Sequence, residues 1–272
     1  MRPIEMHLSD PVRWPLPPYD AEDQPIFFFI VTPPYSGSTA MAKLLNTGER
    51  TDFLQKEAEG QWLVPGLCES DRWRQNKPVN YESVKAVWLN RFQENSGKSG
   101  QRPDVIIEKS PPNMMRLRAL SEQFNSVAYL ATNRNPFANC ASILRRQHAD
   151  TALDPKRRAK LLENLAENWL TRSRQIKAIL DLLDCPFISY EEFCKNPWTI
   201  LSKLELPAHV IEQIDCAATI EVKDYWPQKI SNQNARQIAQ LDSLDLQVIF
   251  DVLQTDQELV RFFGYDLVNP AH

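Results

Sequence analysis

The stretch "PIFFFIVTPPYSGSTAMAKLL", Pro25 to Leu45, limits the fold more than any other part of the chain. Ile26 to Val31 is continuously apolar rather than alternating, the pattern of a strand buried on both faces. Two prolines interrupt it, and Ser38 to Asn46 can form a helix that stops near Thr47-Gly48. A strand covered on both sides needs a helical layer on each. The unit therefore belongs in a layered α/β fold with a mainly parallel sheet.

The rest of the chain continues this alternation. "DVIIEK", "SVAYLAT" and "PFISY" read as further strands. Helices are expected over "YESVKAVWLNRFQEN", Asn113 to Phe124, Phe137 to about Gln147, and Pro155 to Leu183. In the last of these, Leu162, Leu165, Trp169, Ile176, Ile179 and Leu183 mark one apolar face. "EEFCKNPWTILSKL" opens a helical C-terminal part, "SGKSGQRP" reads as a surface loop, and residues 51 to 80 as irregular. Residues Met1 to Gln24 read as an extended lead-in, because prolines at 3, 11, 15, 17 and 18 block a helix. No repeat is present, and residues 1–272 read as a single domain.

The net charge of −4 argues against a general nucleic-acid binder, so any site for a polyanion must be local. The apolar run at Ile26 is far too short to span a membrane, and the N-terminus has no apolar core of a secretory signal. Cys68, Cys140, Cys185, Cys194 and Cys216 are scattered and odd in number, which fits neither a disulfide framework nor a zinc site. They point to reduced thiols in a cytoplasmic protein, with no metal expected.

The loop after the first strand offers an anion site. Ligands of such sheets sit beyond the carboxyl ends of the strands, where a helix N-terminus presents unpaired N–H groups. Gly37 allows the backbone to approach a ligand closely, and Ser36, Ser38 and Thr39 add hydroxyl donors. Read alone, the loop is equally consistent with simple helix capping. It is not a Walker A motif, which would end in G-K-[ST], and it is not the G-x-S-x-G of an esterase nucleophile.

A second anion site follows the third strand. Arg134 sits at its end in "ATNRNPFANCASILRR", Pro136 opens a helix, and Ser142 lies eight residues beyond Arg134. One guanidinium and one hydroxyl can thus converge on a phosphate beside the first loop. Taken together and in order, "FFFIVTPPYSGSTAMAKLL", "IIEKSPPN", "FNSVAYLATNRNPFANCASILRR" and "FISYEEFCKNP" resemble the PAPS-dependent sulfotransferase family over roughly residues 26 to 197.

The resemblance implies a three-layer, P-loop NTPase-like fold. It also implies transfer of a sulfuryl group from 3′-phosphoadenosine 5′-phosphosulfate (PAPS) to a hydroxyl of a small-molecule or carbohydrate acceptor, with release of 3′-phosphoadenosine 5′-phosphate (PAP). By position, Tyr35 and the segment Ser36, Gly37, Ser38, Thr39 and Ala40 resemble the loop around the 5′-phosphosulfate. Arg134 and Ser142 resemble the pair that holds the 3′-phosphate, and Tyr190 a tyrosine near the adenosine. The segment Glu108-Lys109-Ser110-Pro111 resembles one that reaches the reacting centre. In place of the family's basic closing segment stands "WPQKISNQNAR", with Lys229 the candidate.

The departure is Tyr35, which stands where the family's loop usually has Lys or Arg. A phenol is neutral at pH 7 and brings one hydrogen bond but no charge. Three readings stay open: another cation substitutes, the enzyme is slow, or the protein binds nucleotide without catalysis. Lys109 is the first candidate substitute, ahead of Lys56 and Lys229. The histidines fall in no motif, so the proton acceptor is sought among carboxylates, Glu57 and Glu59 jointly first and then Glu108. Trp62 and Trp73 are placed to shape an acceptor pocket. A P-loop kinase, which would prefer ATP-Mg²⁺, is a further reading, disfavoured by the missing Walker lysine.

Overall fold

A computed structural model describes residues 24–94, 97–98, 100–148, 153–222 and 225–267. Apart from Gln24, the lead-in lies outside the described residues, as does part of the 96–103 loop. Five strands form a parallel sheet: β1 (Ile26–Val31), β2 (Thr51–Asp52), β3 (Val105–Glu108), β4 (Val127–Asn133) and β5 (Phe187–Ser189), in the order β2-β3-β1-β4-β5. Described helices are α1 (Ser38–Leu45), α2 (Tyr81–Glu94), α3 (Leu117–Ser121), α4 (Pro136–His148) and α5 (Pro155–Leu182). After them come α6 (Tyr190–Lys195), α7 (Ala208–Ile211), α8 (Asn234–Ile238), α9 (Ser243–Leu253) and α10 (Gln257–Phe262).

Strand β1 is central and buried along its whole length, which is why its sequence does not alternate. Its side chains divide between two cores. Phe27, Phe29 and Val31 pack with Trp88 of α2, Cys140 of α4 and Leu162 and Trp169 of α5. Ile26, Phe28 and Ile30 pack with Met41 and Leu44 of α1 and with Phe193 and Ile200 beyond β5. Each fully buried phenylalanine stabilises the fold by roughly 1.5–3 kcal/mol. The result is a P-loop-like arrangement with helices on both faces of a parallel sheet.

Three details differ from the sequence reading. The 51–80 segment, read as irregular, opens with the short edge strand β2, whose two residues are too few to show a pattern. The helix expected over Asn113 to Phe124 is a 3₁₀ turn, Pro111–Arg116, followed by the short α3. The break falls at Arg116, whose φ of −143° leaves helical space. Its guanidinium donates to the carbonyl oxygens of Pro112 (3.0 Å) and Arg72 (2.6 Å), tying this turn to the 51–80 segment. An antiparallel pair, β6 (Ile220–Val222) and β7 (Tyr225–Gln228), was not expected, because Pro227 and polar residues mask its pattern.

Candidate active site at the carboxyl edge of the sheet

Because β1, β3, β4 and β5 are parallel, the residues after each arrive at one edge of the sheet. That edge opens into a cavity of about 480 Å³, lined by Tyr35, Gly37, Ser38, Thr39, Ala40, Lys109, Arg134, Ser142, Tyr190 and Lys229 among others. The size suits a bound small molecule. Among the described residues six cations line it, Arg72, Lys109, Arg134, Arg146, Arg172 and Lys229, against one carboxylate, Glu59. The chain is acidic overall, so this positive charge is concentrated here.

The loop after β1 is held from α4. Asn139 donates from Nδ2 to the Pro34 carbonyl (2.8 Å) and to Ser36 Oγ (3.2 Å). Gly37, at φ 84°, turns the chain into α1, and a Cβ there would lie 2.4 Å from Cδ2 of Tyr190. Glycine is required on both counts. Tyr35 also has positive φ, 63°, and its hydroxyl accepts a long bond from Gln147 Nε2 (3.4 Å).

Arg134 is nearly fully buried and uses three of its N–H groups. Nη1 donates to the Tyr35 carbonyl (3.0 Å), Nε to Asn234 Oδ1 (2.9 Å) and Nη2 to Gln237 Oε1 (2.6 Å). Its guanidinium lies over the Tyr190 ring at 4.1 Å. Burial lowers its pKa and leaves it charged. The hydroxyl of Tyr190 donates to the Ser231 carbonyl (3.3 Å) and accepts from the Gln233 N–H (3.1 Å). Glu191 accepts from the Asn135 N–H (3.0 Å), from Asn234 Nδ2 (2.6 Å) and from the Tyr265 hydroxyl (2.9 Å). The "WPQKISNQNAR" segment is thereby fastened across the opening, with Lys229 in the cavity wall.

The three glutamates separate. Glu59 faces the cavity, and its Oε1 receives Lys109 Nζ at 2.5 Å. Its Oε2 accepts from Gln61 Nε2 and Trp62 Nε1, both at 2.9 Å. Burial works against the Glu59 carboxylate. The Lys109 ammonium and these hydrogen bonds outweigh that burial and hold its pKa below the usual value. Glu57 lies outside the cavity wall and turns to Lys43 of α1 at 3.0 Å. Glu108 is buried beneath the site, where it accepts from the N–H groups of Gly60 (2.7 Å) and Ser110 (2.8 Å) and from Asn113 (3.0 Å). Burial dominates those donors and pushes it up to about 7.

Sequence reasoning missed Asn234 and Gln237, which sit on Arg134, and the arginines Arg72, Arg146 and Arg172. The first two fall within or just past a segment singled out for its lysine. Arg72 adjoins Trp73, which was expected to shape a pocket. Arg172 had no local signal, since it is one of many charged residues on a long helix.

No protein-family model matches the sequence, and no curated protein matches it either. Solved structures do. A sulfotransferase from Alicyclobacillus acidocaldarius superposes with a TM-score of 0.53 at 15% identity, over 92% of this chain and 99% of that one. The sulfotransferase STF9 from Mycobacterium avium gives a TM-score of 0.53 at 12% identity, over 91% of this chain and 78% of that one. The chain has a sulfotransferase fold. No helix among the described residues is long and apolar enough to cross a membrane, and the described residues hold no His/Cys/Asp/Glu group suited to a metal ion.

Proposed function

We propose that this protein transfers a sulfuryl group from PAPS to a hydroxyl of a small-molecule or carbohydrate acceptor and releases PAP. The observation that carries this reading is the convergence on one cavity of the Gly37 loop, the Arg134/Ser142 pair and the Lys109–Glu59 pair. Residues 1–272 are read as one domain. The five cysteines, all free thiols, support a reducing, cytoplasmic setting.

The residues present fit the nucleotide. A guanidinium has five N–H groups and Arg134 uses three, so two remain for a phosphate beside the Ser142 hydroxyl. Gly37, Ser38 and Thr39 would hold the 5′ end with backbone N–H groups and hydroxyls, with Ala40 lining the wall beside them and Ser36 buried behind them on Asn139. Tyr190 and Lys229 would flank the base and the 3′-phosphate. When bound, PAPS supplies the sulfuryl group: a bond forms from the acceptor oxygen to sulfur while the bond from sulfur to the 5′-phosphate oxygen breaks, the electron pair leaving with PAP.

Lys109 brings the fixed charge that Tyr35 does not. Its ammonium can turn from Glu59 towards the oxygen on which negative charge builds. Glu59 then loses the cation that keeps its pKa low, and its Oε1 becomes a better acceptor for the hydroxyl proton. Glu108 is a positioning residue, because its hold on the Gly60 and Ser110 N–H groups fixes the segment that carries Glu59 and the turn after Lys109. Tyr35 favours one other reading, a nucleotide-binding protein without turnover.

Calorimetric titration with PAP, with 5′-AMP and ATP-Mg²⁺ in parallel, tests the nucleotide site. Binding should require the 3′-phosphate and weaken by roughly 10–100-fold in Arg134→Ala, the effect of losing one charged hydrogen-bonding group. A preference for ATP-Mg²⁺ would sink the proposal. Transfer of label from ³⁵S-PAPS to any acceptor would eliminate the non-catalytic reading.

A further inference from the structure

The nucleotide accounts for only part of the cavity's positive charge. The wall also includes Trp62, hydrogen-bonded to Glu59, together with Arg72 and Trp73 of the 51–80 segment and Arg172 of α5. Trp62 donates to Glu59, and Arg72 lies over the Trp62 ring at 5.6 Å. Arg172 lies over the Trp73 ring at 4.4 Å. One arginine–tryptophan pair thus adjoins, through Trp62, the carboxylate that would receive the acceptor's proton, and the second lines the same cavity.

Neither guanidinium is neutralised among the described residues. Arg72 reaches only the carbonyl oxygens of Cys68 and Glu69, at 3.5 and 3.4 Å. The ionisable group that acts on Arg172 is the Cys140 thiol, itself pushed up to about 12 by burial and so neutral at pH 7. Burial draws Arg172 down to about 10, so its charge is held at a cost with no anion beside it. Each guanidinium is held against a tryptophan ring, and a guanidinium so restrained suits the two oxygens of a carboxylate or phosphate.

Resting on the sulfuryl-transfer reading above, we infer that the acceptor carries an oxyanion of its own beside the reacting hydroxyl, bound by Arg72 and Arg172 with its apolar part against Trp62 and Trp73. The oxyanion is a carboxylate or a phosphate; both have the charge and the oxygen geometry the guanidinium fork takes. A neutral sugar or phenol would leave both arginines uncompensated.

The test uses protein saturated with PAP, so that every nucleotide site is filled. Binding of 4-hydroxyphenylacetate is compared with that of 4-hydroxyphenylacetamide, and glycerol 3-phosphate with glycerol, by calorimetry. The charged member of at least one pair should bind roughly tenfold or more tightly, the effect of one charge-assisted contact, and the pair that discriminates names the anion. In Arg172→Gln and in Arg72→Gln that preference should shrink towards parity while PAP affinity stays unchanged. Equal binding of charged and neutral members, including none by either, overturns the inference, as does a preference that survives both substitutions. Failure of PAP itself to bind would instead remove the sulfuryl-transfer reading, so the two failures are distinguishable.

Discussion

Lys109 Nζ lies 2.5 Å from Oε1 of Glu59, and the lysine is almost wholly buried. The pair joins the residue after β3 to the cavity wall that also carries Trp62 and Arg72. Removing one partner of such a pair strands the other, at about 3 kcal/mol of stability. Lys109→Met should therefore melt earlier and, at temperatures where it is folded, transfer sulfate about 10²–10³-fold more slowly, the usual loss for one donor at a developing charge. PAP affinity should change little. Steady-state kinetics with a calorimetric PAP titration check this; a Lys109→Met enzyme with the original kcat would remove Lys109 from the reaction.

Glu108 makes stability depend on pH. Its pKa rises on folding from an ordinary 4.5 to about 7, so between these values the native state binds more protons than the unfolded chain. The resulting stabilisation is complete below pH 4.5 and is lost as pH rises through 7, about 3 kcal/mol in all. Urea denaturation at pH 5, 6, 7 and 8 should show the midpoint falling across that window. Glu108→Gln should flatten the trend and be less stable at pH 5, because its amide NH₂ meets the Gly60 or Ser110 N–H. An unchanged slope in the variant would assign the titration to another group.

The Tyr190 ring and the Tyr190 hydroxyl have separable roles. The ring lies beneath Arg134, whereas the hydroxyl holds Ser231 and Gln233 of the segment across the cavity. Tyr190→Phe keeps the first and deletes the second. Two hydrogen bonds at about 1 kcal/mol each predict a PAP affinity lower by up to roughly 30-fold. Amide exchange at residues 229–237 should quicken while β4 and β5 stay protected. Unaltered exchange there would mean that the hydroxyl does not fasten the segment.

How much of this was legible in the sequence depends on whether the signal is local. The apolar run of β1 and the Arg134/Ser142 spacing on a strand and its following helix are local, and both read directly. Lys109 could be placed because it follows a strand whose direction is set by the parallel sheet. The glutamates could not be told apart. Glu57 turns to Lys43 because its backbone, at φ 69°, points it towards α1, while Glu59 two residues on faces the cavity. Such irregular backbone carries no periodicity to read. Asn234, Gln237 and Arg172 reach the site from about 40 to 100 residues away from Arg134 through tertiary packing, beyond any local pattern.

Tyr35 stands where a loop cation was expected. Its contribution to Arg134 is a backbone carbonyl, which any side chain preserves, and a lysine at φ 63° carries the same backbone strain as the tyrosine it replaces. Tyr35→Lys should therefore fold and bring a cation to the loop beside Ser36. If one fixed charge near the leaving oxygen is what matters, that lysine should partly replace Lys109. In the Lys109→Met background, Tyr35→Lys should recover about tenfold or more of the lost transfer rate, and it should add much less to the wild-type chain. A double-mutant cycle on kcat measures the difference. Equal gains in both backgrounds would mean that the two positions act independently, and Lys109 would then not be the substitute for the missing loop cation.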